Sequence, residues 1–447
     1  MKLPNLAFLL SISILGFSKT KPEAIAAYAD AMIQEHLKNE HFIGASVLID
    51  YKGETLIHKA YGKACIELNV PMQTNHVFEI GSVTKQFTAA CILKLVENEK
   101  LALDDDFTTY VPYDTQGKSI TIRQLLNHTS GIPGYTEIEE FWDLSYHSYD
   151  RDTLLRLVES NGLDFAPGTS IKYSNTGFFI LGLIIEKVSG MSYAEYLQQE
   201  IFDPLGMQSS YYCSQSTIIP HKAFGYDLSP SGYVQKMYID HTWPYAAGSI
   251  CSTTGDLLIW MKALHHGKVL SENAYEAMIT PEKLTNGRSL RYGFGIANYM
   301  YEGQRCIGHT GGIPGFLSVT RYYPEHDLYA ICLLNSIGEV GAGEVADDLS
   351  FELIDKKPFE TVKQKIDPKE VNGEYRGVFG KDTIRYEIQA FKNGLVFTNI
   401  DNGLVDSVTT YIGNYQWRDG SEIITVKDGK YLVETVVMNY EFVRVEE

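Results

Sequence analysis

The sequence predicts an α+β protein: an antiparallel sheet built from N- and C-terminal segments, a helical lobe inserted between them, and an all-β module at the C-terminus. Three observations predict it. Strand patterns lie on both sides of a long, mostly helical middle, from about residue 82 to 275. A polar, proline-bearing stretch follows the second set of strands. Beyond it, short alternating runs are split by Asn-Gly and Asp-Gly dipeptides, which mark antiparallel hairpins.

The elements follow in order. Met1-Lys2, an apolar run over 6–17 and Ser18-Lys19-Thr20 have the basic start, short core and small residues of a signal peptide over 1–20. The run is too short to span a bilayer. The expected product is periplasmic or secreted, with no integral membrane segment once the leader is removed. Pro22 opens an amphipathic helix to about Leu37, with Ile25, Ala29, Met32, Ile33 and Leu37 at helical spacing. Residues 45–51 and 55–61 flank Lys52-Gly53 as a hairpin. Helical patterns cover 122–127 and 178–188. Strands return at 292–299, 305–310, 316–322 and 328–334, and a helix follows near 344–354. These segments form one expected domain, 21–356, with a cleft between sheet edge and helical lobe. A linker is expected over 357–370, which carries Pro358 and Pro368. Residues 371–447 are expected to form a sandwich-like or barrel-like module, with turns at Lys392-Asn393-Gly394, Asp401-Asn402-Gly403, Arg418-Asp419-Gly420 and Lys427-Asp428-Gly429.

Composition excludes several classes of function. The 447 residues carry a net charge of −18, with 44% apolar and 21% charged residues, an ordinary globular balance. A nucleic-acid or anionic-membrane partner needs a basic surface, so neither is expected. The expected partner is a small-molecule or peptide substrate; oligomeric state is not legible. Six cysteines are scattered without a Cys-x-x-Cys pair, so neither a disulfide framework nor a zinc site is indicated. Several read as core residues, and two are able to pair in an oxidising compartment, with the partners left open. His-Glu-x-x-His, Gly-x-x-x-x-Gly-Lys-Ser/Thr and Gly-x-Ser-x-Gly are absent. No metal and no cofactor is expected.

The chemistry concentrates in Gly81-Ser82-Val83-Thr84-Lys85. Residues i and i+3 share a helix face, so the Lys85 amine can lie against the Ser82 hydroxyl. A serine needs an adjacent base to become a nucleophile, and a desolvated lysine can lose enough basicity to serve as one. The run that follows, 87–96, is apolar nearly all round, which places Lys85 near the start of a buried helix. The alternative to a nucleophile is a capped helix with a solvated lysine, in which Ser82 is the N-cap. Ser-x-x-Lys alone is weak, and Ser18-Lys19-Thr20-Lys21 repeats it.

Two further segments supply what a Ser/Lys pair lacks. Tyr173-Ser174-Asn175 is the one Tyr-x-Asn in a chain of 30 tyrosines, and it precedes an apolar helix. A phenol beside a lysine is expected to shift toward phenolate. His309-Thr310-Gly311-Gly312 sits on a strand, where glycines permit close approach and the Gly312 N–H can serve an oxyanion. His309 and Thr310 are candidates to hold a substrate carboxylate or relay a proton.

Ser-x-x-Lys, Tyr-x-Asn and His-Thr-Gly in this order resemble the serine β-lactamase and penicillin-binding protein superfamily, over roughly 22–355. The tyrosine of the second motif is similar to the class C β-lactamase, D,D-peptidase and D-aminopeptidase branch. The stretches 125–133 and 246–253 also resemble segments of that branch. The resemblance implies a β-lactamase/transpeptidase-like domain with Ser82 as the acylated nucleophile. It implies Lys85 and Tyr173 sharing the general-base role, either being able to take the proton. It implies Asn175 holding a substrate amide, and the N–H groups of Ser82 and Gly312 as oxyanion hole. Tyr135 falls where that branch places a substrate-contacting residue. His309 stands where class C β-lactamases usually have lysine, which implies weak β-lactam turnover and favours D-amino-acid peptides or small esters. The alternatives are a penicillin-binding sensor that is acylated but turns over slowly, and a true β-lactamase.

Overall fold

The computed structural model describes residues 21–354, apart from Gln215 and Glu302, together with 367–379, 382–391, 394–400, 405–408, 410–413, 416–419, 422–427, 430–434 and 439–445. The expected signal peptide and most of the expected linker lie outside the described residues.

The first chain reversal is set by Lys52 and Gly53, whose φ angles are 53° and 82°. Positive φ at both central residues is the hairpin geometry that matches strand twist. It joins β1 (Gly44–Tyr51) to β2 (Glu54–Cys65). With β3 (Val70–Pro71), β4 (Ala297–Tyr301), β5 (Gln304–Ile313), β6 (Phe316–Tyr323) and β7 (Leu328–Leu334) these form a sheet in the order β3-β2-β1-β7-β6-β5-β4. N- and C-terminal segments meet at its centre, where Ala45 through Tyr51 of β1 run antiparallel to Leu334 through Leu328 of β7.

β1 is buried on both faces. Ala45, Val47 and Ile49 share a core with Ile25, Ala29 and Ile33 of α1 (Lys21–Lys38). Leu48 points to the other core, with the helical lobe. Alternation puts successive side chains on opposite faces, so one strand serves both cores. Within the lobe, α2 (Thr84–Glu97) is buried from Thr84 to Leu93, as its apolar sequence requires. Gln86 Nε2 donates to Thr320 Oγ1 at 2.8 Å and ties α2 to β6. α3 (Asn175–Ser189) packs beside α2. α4 (Thr254–His265) returns to the sheet, where Thr254 Oγ1 lies 3.0 Å from Ser46 Oγ and Lys262 pairs with buried Asp50 at 2.8 Å.

The strand expected at 292–299 begins only at Ala297. The preceding turn is held elsewhere: Phe294 N donates to Met278 O and Gly295 N to Leu126 O. Gly295 has φ +67°, and a Cβ there would stand 2.5 Å from Lys85 O. The backbone therefore runs against α2 before it joins the sheet.

The C-terminal strands form one curled antiparallel sheet among the described residues, with the strand Gly373–Phe379 pairing both Asp382–Phe391 and Asn439–Arg444. Tyr375, Ile388, Leu395, Phe397, Ile424 and Tyr431 lie in its own core. It is one sheet rather than the two packed layers of a sandwich; twist lets a single sheet wrap a small core. Cys213 and Cys251 are disulfide-bonded, while Cys65, Cys91, Cys306 and Cys332 are buried thiols. Among the described residues no single helix is long and apolar enough to cross a membrane.

Candidate active site

Ser82 sits in a short 3-10 turn, Gly81–Val83, between the strand Phe78–Glu79 and α2. The residue at the N-cap of α2 is Val83, with no side-chain cap. This removes the alternative in which Ser82 is the N-cap: its hydroxyl is not spent on the helix backbone. Gly81 takes φ +49° to make the turn. Ser318 Oγ donates to Ile80 O at 2.7 Å and anchors the turn to β6.

Lys85, one turn into the helical segment, has no exposed surface. Its Nζ lies 3.1 Å from Ser82 Oγ, 2.8 Å from Asn175 Oδ1 and 2.8 Å from the Ala247 carbonyl. None of the three is charged. Burial without a carboxylate partner holds its ammonium well below the usual lysine range.

Ser174 caps α3 by accepting from Gly177 N at 3.2 Å, which places Tyr173 and Asn175 on either side of the cap. Asn175 Oδ1 is taken by Lys85, so Nδ2 is the group left for a substrate carbonyl; it lies 3.5 Å from Thr136 Oγ1. The Tyr173 ring lies 4.8 Å from Lys85 Nζ and its buried hydroxyl has no hydrogen-bond partner. Burial pushes its phenol up from the ordinary value, with only Ser82 acting against the shift. The expected shift toward phenolate is therefore corrected. The lysine that would stabilise a phenolate is itself favoured neutral, and desolvation prevails.

His309 is buried in β5. Its Nδ1 faces Thr310 O, a pure acceptor, so Nδ1 carries the proton. Nε2 then accepts from the Tyr292 hydroxyl at 2.7 Å. Burial first, then Lys85, pushes its pKa down to about 3. Neutral, with both nitrogens engaged, His309 offers a substrate carboxylate no positive charge. Tyr292 and the Ala247 carbonyl were not singled out from sequence. Nor was His128, whose Nδ1 accepts from Ser174 N at 3.2 Å and whose ring centroid lies 4.3 Å from that of Tyr173, tilted by 40°.

Gly311 and Gly312 press β5 against the serine turn. A Cβ on Gly311 would meet Ile80 O and Ser318 Oγ and lie 3.1 Å from Ser82 N. Two cavities meet here, and Ser82 and Gly312 line both. The larger, about 510 Å³, runs past Asn175 and Tyr135 toward Trp142, Met237 and Ile337. The smaller, about 280 Å³, is lined by Tyr173, Tyr292, His309 and Thr310. Tyr135 is 6% exposed, its ring packed on Phe141 and Trp243, so it forms wall rather than a projecting contact. Among the described residues no group of three His, Cys, Asp or Glu side chains is placed to hold a metal ion.

The family model described as Beta-lactamase matches residues 29–353. The chain is 31% identical over 356 residues to penicillin-binding protein 4* of Bacillus subtilis, covering 75% of this chain and 77% of that protein. The octameric penicillin-binding protein homologue from Pyrococcus abyssi superposes with TM-score 0.68 at 25% identity, covering 93% of this chain and 99% of that one. The D-amino acid amidase from Ochrobactrum anthropi superposes with TM-score 0.66 at 25% identity, covering 74% and 99%.

Proposed function

The chain belongs to the Beta-lactamase family, whose members include serine hydrolases, and from that premise we propose that it cleaves an amide or ester through a Ser82 acyl-enzyme. One observation carries the reading: the three oxygens around Lys85 Nζ. A neutral amine has two N–H bonds and one lone pair. Asn175 Oδ1 and Ala247 O accept the two N–H bonds, which turns the lone pair toward Ser82 Oγ–H. Ser82 Oγ attacks the substrate carbonyl carbon as its proton passes to Lys85 Nζ. The oxyanion forms beside the Ser82 and Gly312 N–H groups. The tetrahedral intermediate collapses, the bond to the leaving group breaks, and the leaving group takes a proton from the Tyr173 hydroxyl, which lines the smaller cavity and is restored by the proton held on Lys85. Water then attacks the acyl carbon as its proton passes to Lys85 Nζ, the bond from Ser82 Oγ to that carbon breaks, the proton passes from Lys85 to Oγ, and the acid is released.

D-amino-acid peptides or small esters fit this reading better than β-lactams, since His309 replaces a permanent cation. A leader-like N-terminus and the Cys213–Cys251 disulfide support export to an oxidising compartment. The test is steady-state hydrolysis of a chromogenic ester by wild type and Ser82→Ala. Ser82-dependent turnover beyond one equivalent supports a hydrolase; a one-equivalent plateau points to an acylated sensor.

A further inference from the structure

The two cavities at Ser82 are almost without charge. His309 lines the smaller, and among the residues lining either, Asp227 is the one Asp, Glu, Lys or Arg. Its carboxylate is already engaged: Oδ1 accepts from Gly315 N at 2.8 Å and Oδ2 from Met237 N at 2.9 Å. The ions nearby are closed among themselves. Lys172 pairs with Glu137 and Asp164. Lys222 and Lys236 pair with buried Glu79. In the smaller cavity, the position suited to a cation is His309, bonded to Tyr292 and Thr310.

A substrate ion needs a partner when it leaves water, and an unpaired one is strongly disfavoured. An amino-acid amide brings an ammonium; a penicillin or a free peptide C-terminus brings a carboxylate. No Lys or Arg lines either cavity to meet the carboxylate, and the one carboxylate, Asp227, already accepts two backbone N–H groups. What the larger one offers is apolar surface from Phe141, Trp142, Leu228, Met237, Ile239 and Ile337. Trp142, Leu228 and Met237 are 50%, 42% and 40% exposed, so this surface waits uncovered beside the nucleophile.

The placement of Tyr173 orients the substrate. The leaving group requires a proton, and Tyr173 lines the smaller cavity, so the acyl group lies in the larger.

We propose that the substrate is an uncharged ester or amide whose acyl part carries a bulky apolar group held in the larger cavity, with a small uncharged leaving group in the lesser one. This rests on the Ser82 acyl-enzyme reading and narrows its substrates to uncharged esters and amides, leaving out peptides with charged termini near the scissile bond.

The test compares kcat/KM for p-nitrophenyl acetate, octanoate and phenylacetate, and for the p-nitrophenyl ester of succinic acid against that of its methyl half-ester. Each rate is divided by that ester's alkaline hydrolysis rate and corrected with Ser82→Ala. Octanoate or phenylacetate should exceed acetate by about tenfold or more, the range a well-filled apolar pocket gives. The acidic succinate should fall about tenfold or more below its methyl ester. Leu228→Lys, which puts a cation on the cleft wall, should raise the acidic-to-methyl ratio severalfold. An acidic ester turned over as fast as its methyl ester, or a ratio unmoved by Leu228→Lys, overturns the substrate class while leaving Ser82 as nucleophile. Absence of any Ser82-dependent hydrolysis overturns the hydrolase reading and this inference with it.

Discussion

Lys85 Nζ stands 3.1 Å from Ser82 Oγ, and the other two atoms it touches, Asn175 Oδ1 and Ala247 O, are carbonyl oxygens. A carboxylate at either place would fix the ammonium; two neutral acceptors instead favour the free amine in a buried site.

Asn175→Asp tests this directly. The near-isosteric change puts a negative charge 2.8 Å from Nζ. An opposite charge raises a lysine pKa, by about one to three units at such range. Activity requires the deprotonated amine, so the acid limb of kcat/KM should move to higher pH by at least about one unit. An unmoved limb means that Lys85 is not the titrating base.

Tyr173→Phe should separate activity from stability. The hydroxyl is buried and makes no close hydrogen bond, so the fold gains little from it. The variant should melt at or above the wild-type temperature while kcat falls by about 10²-fold, the scale of one lost proton carrier. A fall in melting temperature with unchanged kcat would assign the hydroxyl a structural role.

His309 should make the fold acid-sensitive. Its pKa is lowered by burial from 6.5 to about 3. Between those values the unfolded chain binds a proton that the folded chain refuses, so stability falls as pH falls; above about 6.5 the effect vanishes. The slope for one such histidine is about 1.4 kcal/mol per pH unit. Urea unfolding of wild type and His309→Gln at pH 7 and pH 5 should show the variant losing less on acidification. Equal losses would contradict a buried neutral His309.

Gly311→Ala should damage the site through the backbone. The added Cβ meets Ile80 O and Ser318 Oγ beside the serine turn. Overpacking of this kind costs about 1–3 kcal/mol, read by denaturant titration. Ester turnover should fall more than stability does, because the displaced atoms carry Ser82. Full activity would show that β5 need not press against the turn.

The parts legible in sequence are those written in side-chain pattern. Lys52-Gly53 announced its hairpin because a two-residue turn needs positive φ, and Ser82, Lys85, Tyr173 and Asn175 announced themselves by spacing. All four line up at one point in the fold. What remained hidden has no local signature. Ala247 lies in the stretch 246–253 that resembles the family, but its carbonyl is backbone, so no residue identity marks its role. Tyr292 is one of 30 tyrosines, and only the fold brings it from a turn beside Gly293 and Gly295 to His309. Cys213 and Cys251 lie 38 residues apart and meet because Tyr211–Tyr212 pairs with Ile250–Ser252. His309 is placed on the strand beside Ser82 by its pattern, while its burial and its bond to Tyr292 have no local signature.

The most direct test of the central claim is covalent. Wild type and Ser82→Ala are mixed with p-nitrophenyl octanoate, quenched in acid within the first turnover and examined by intact-protein and peptide mass spectrometry. The account predicts one octanoyl group on the wild type, located on Ser82, and none on the variant. An octanoyl group on another residue, or undiminished ester turnover by Ser82→Ala, would contradict it.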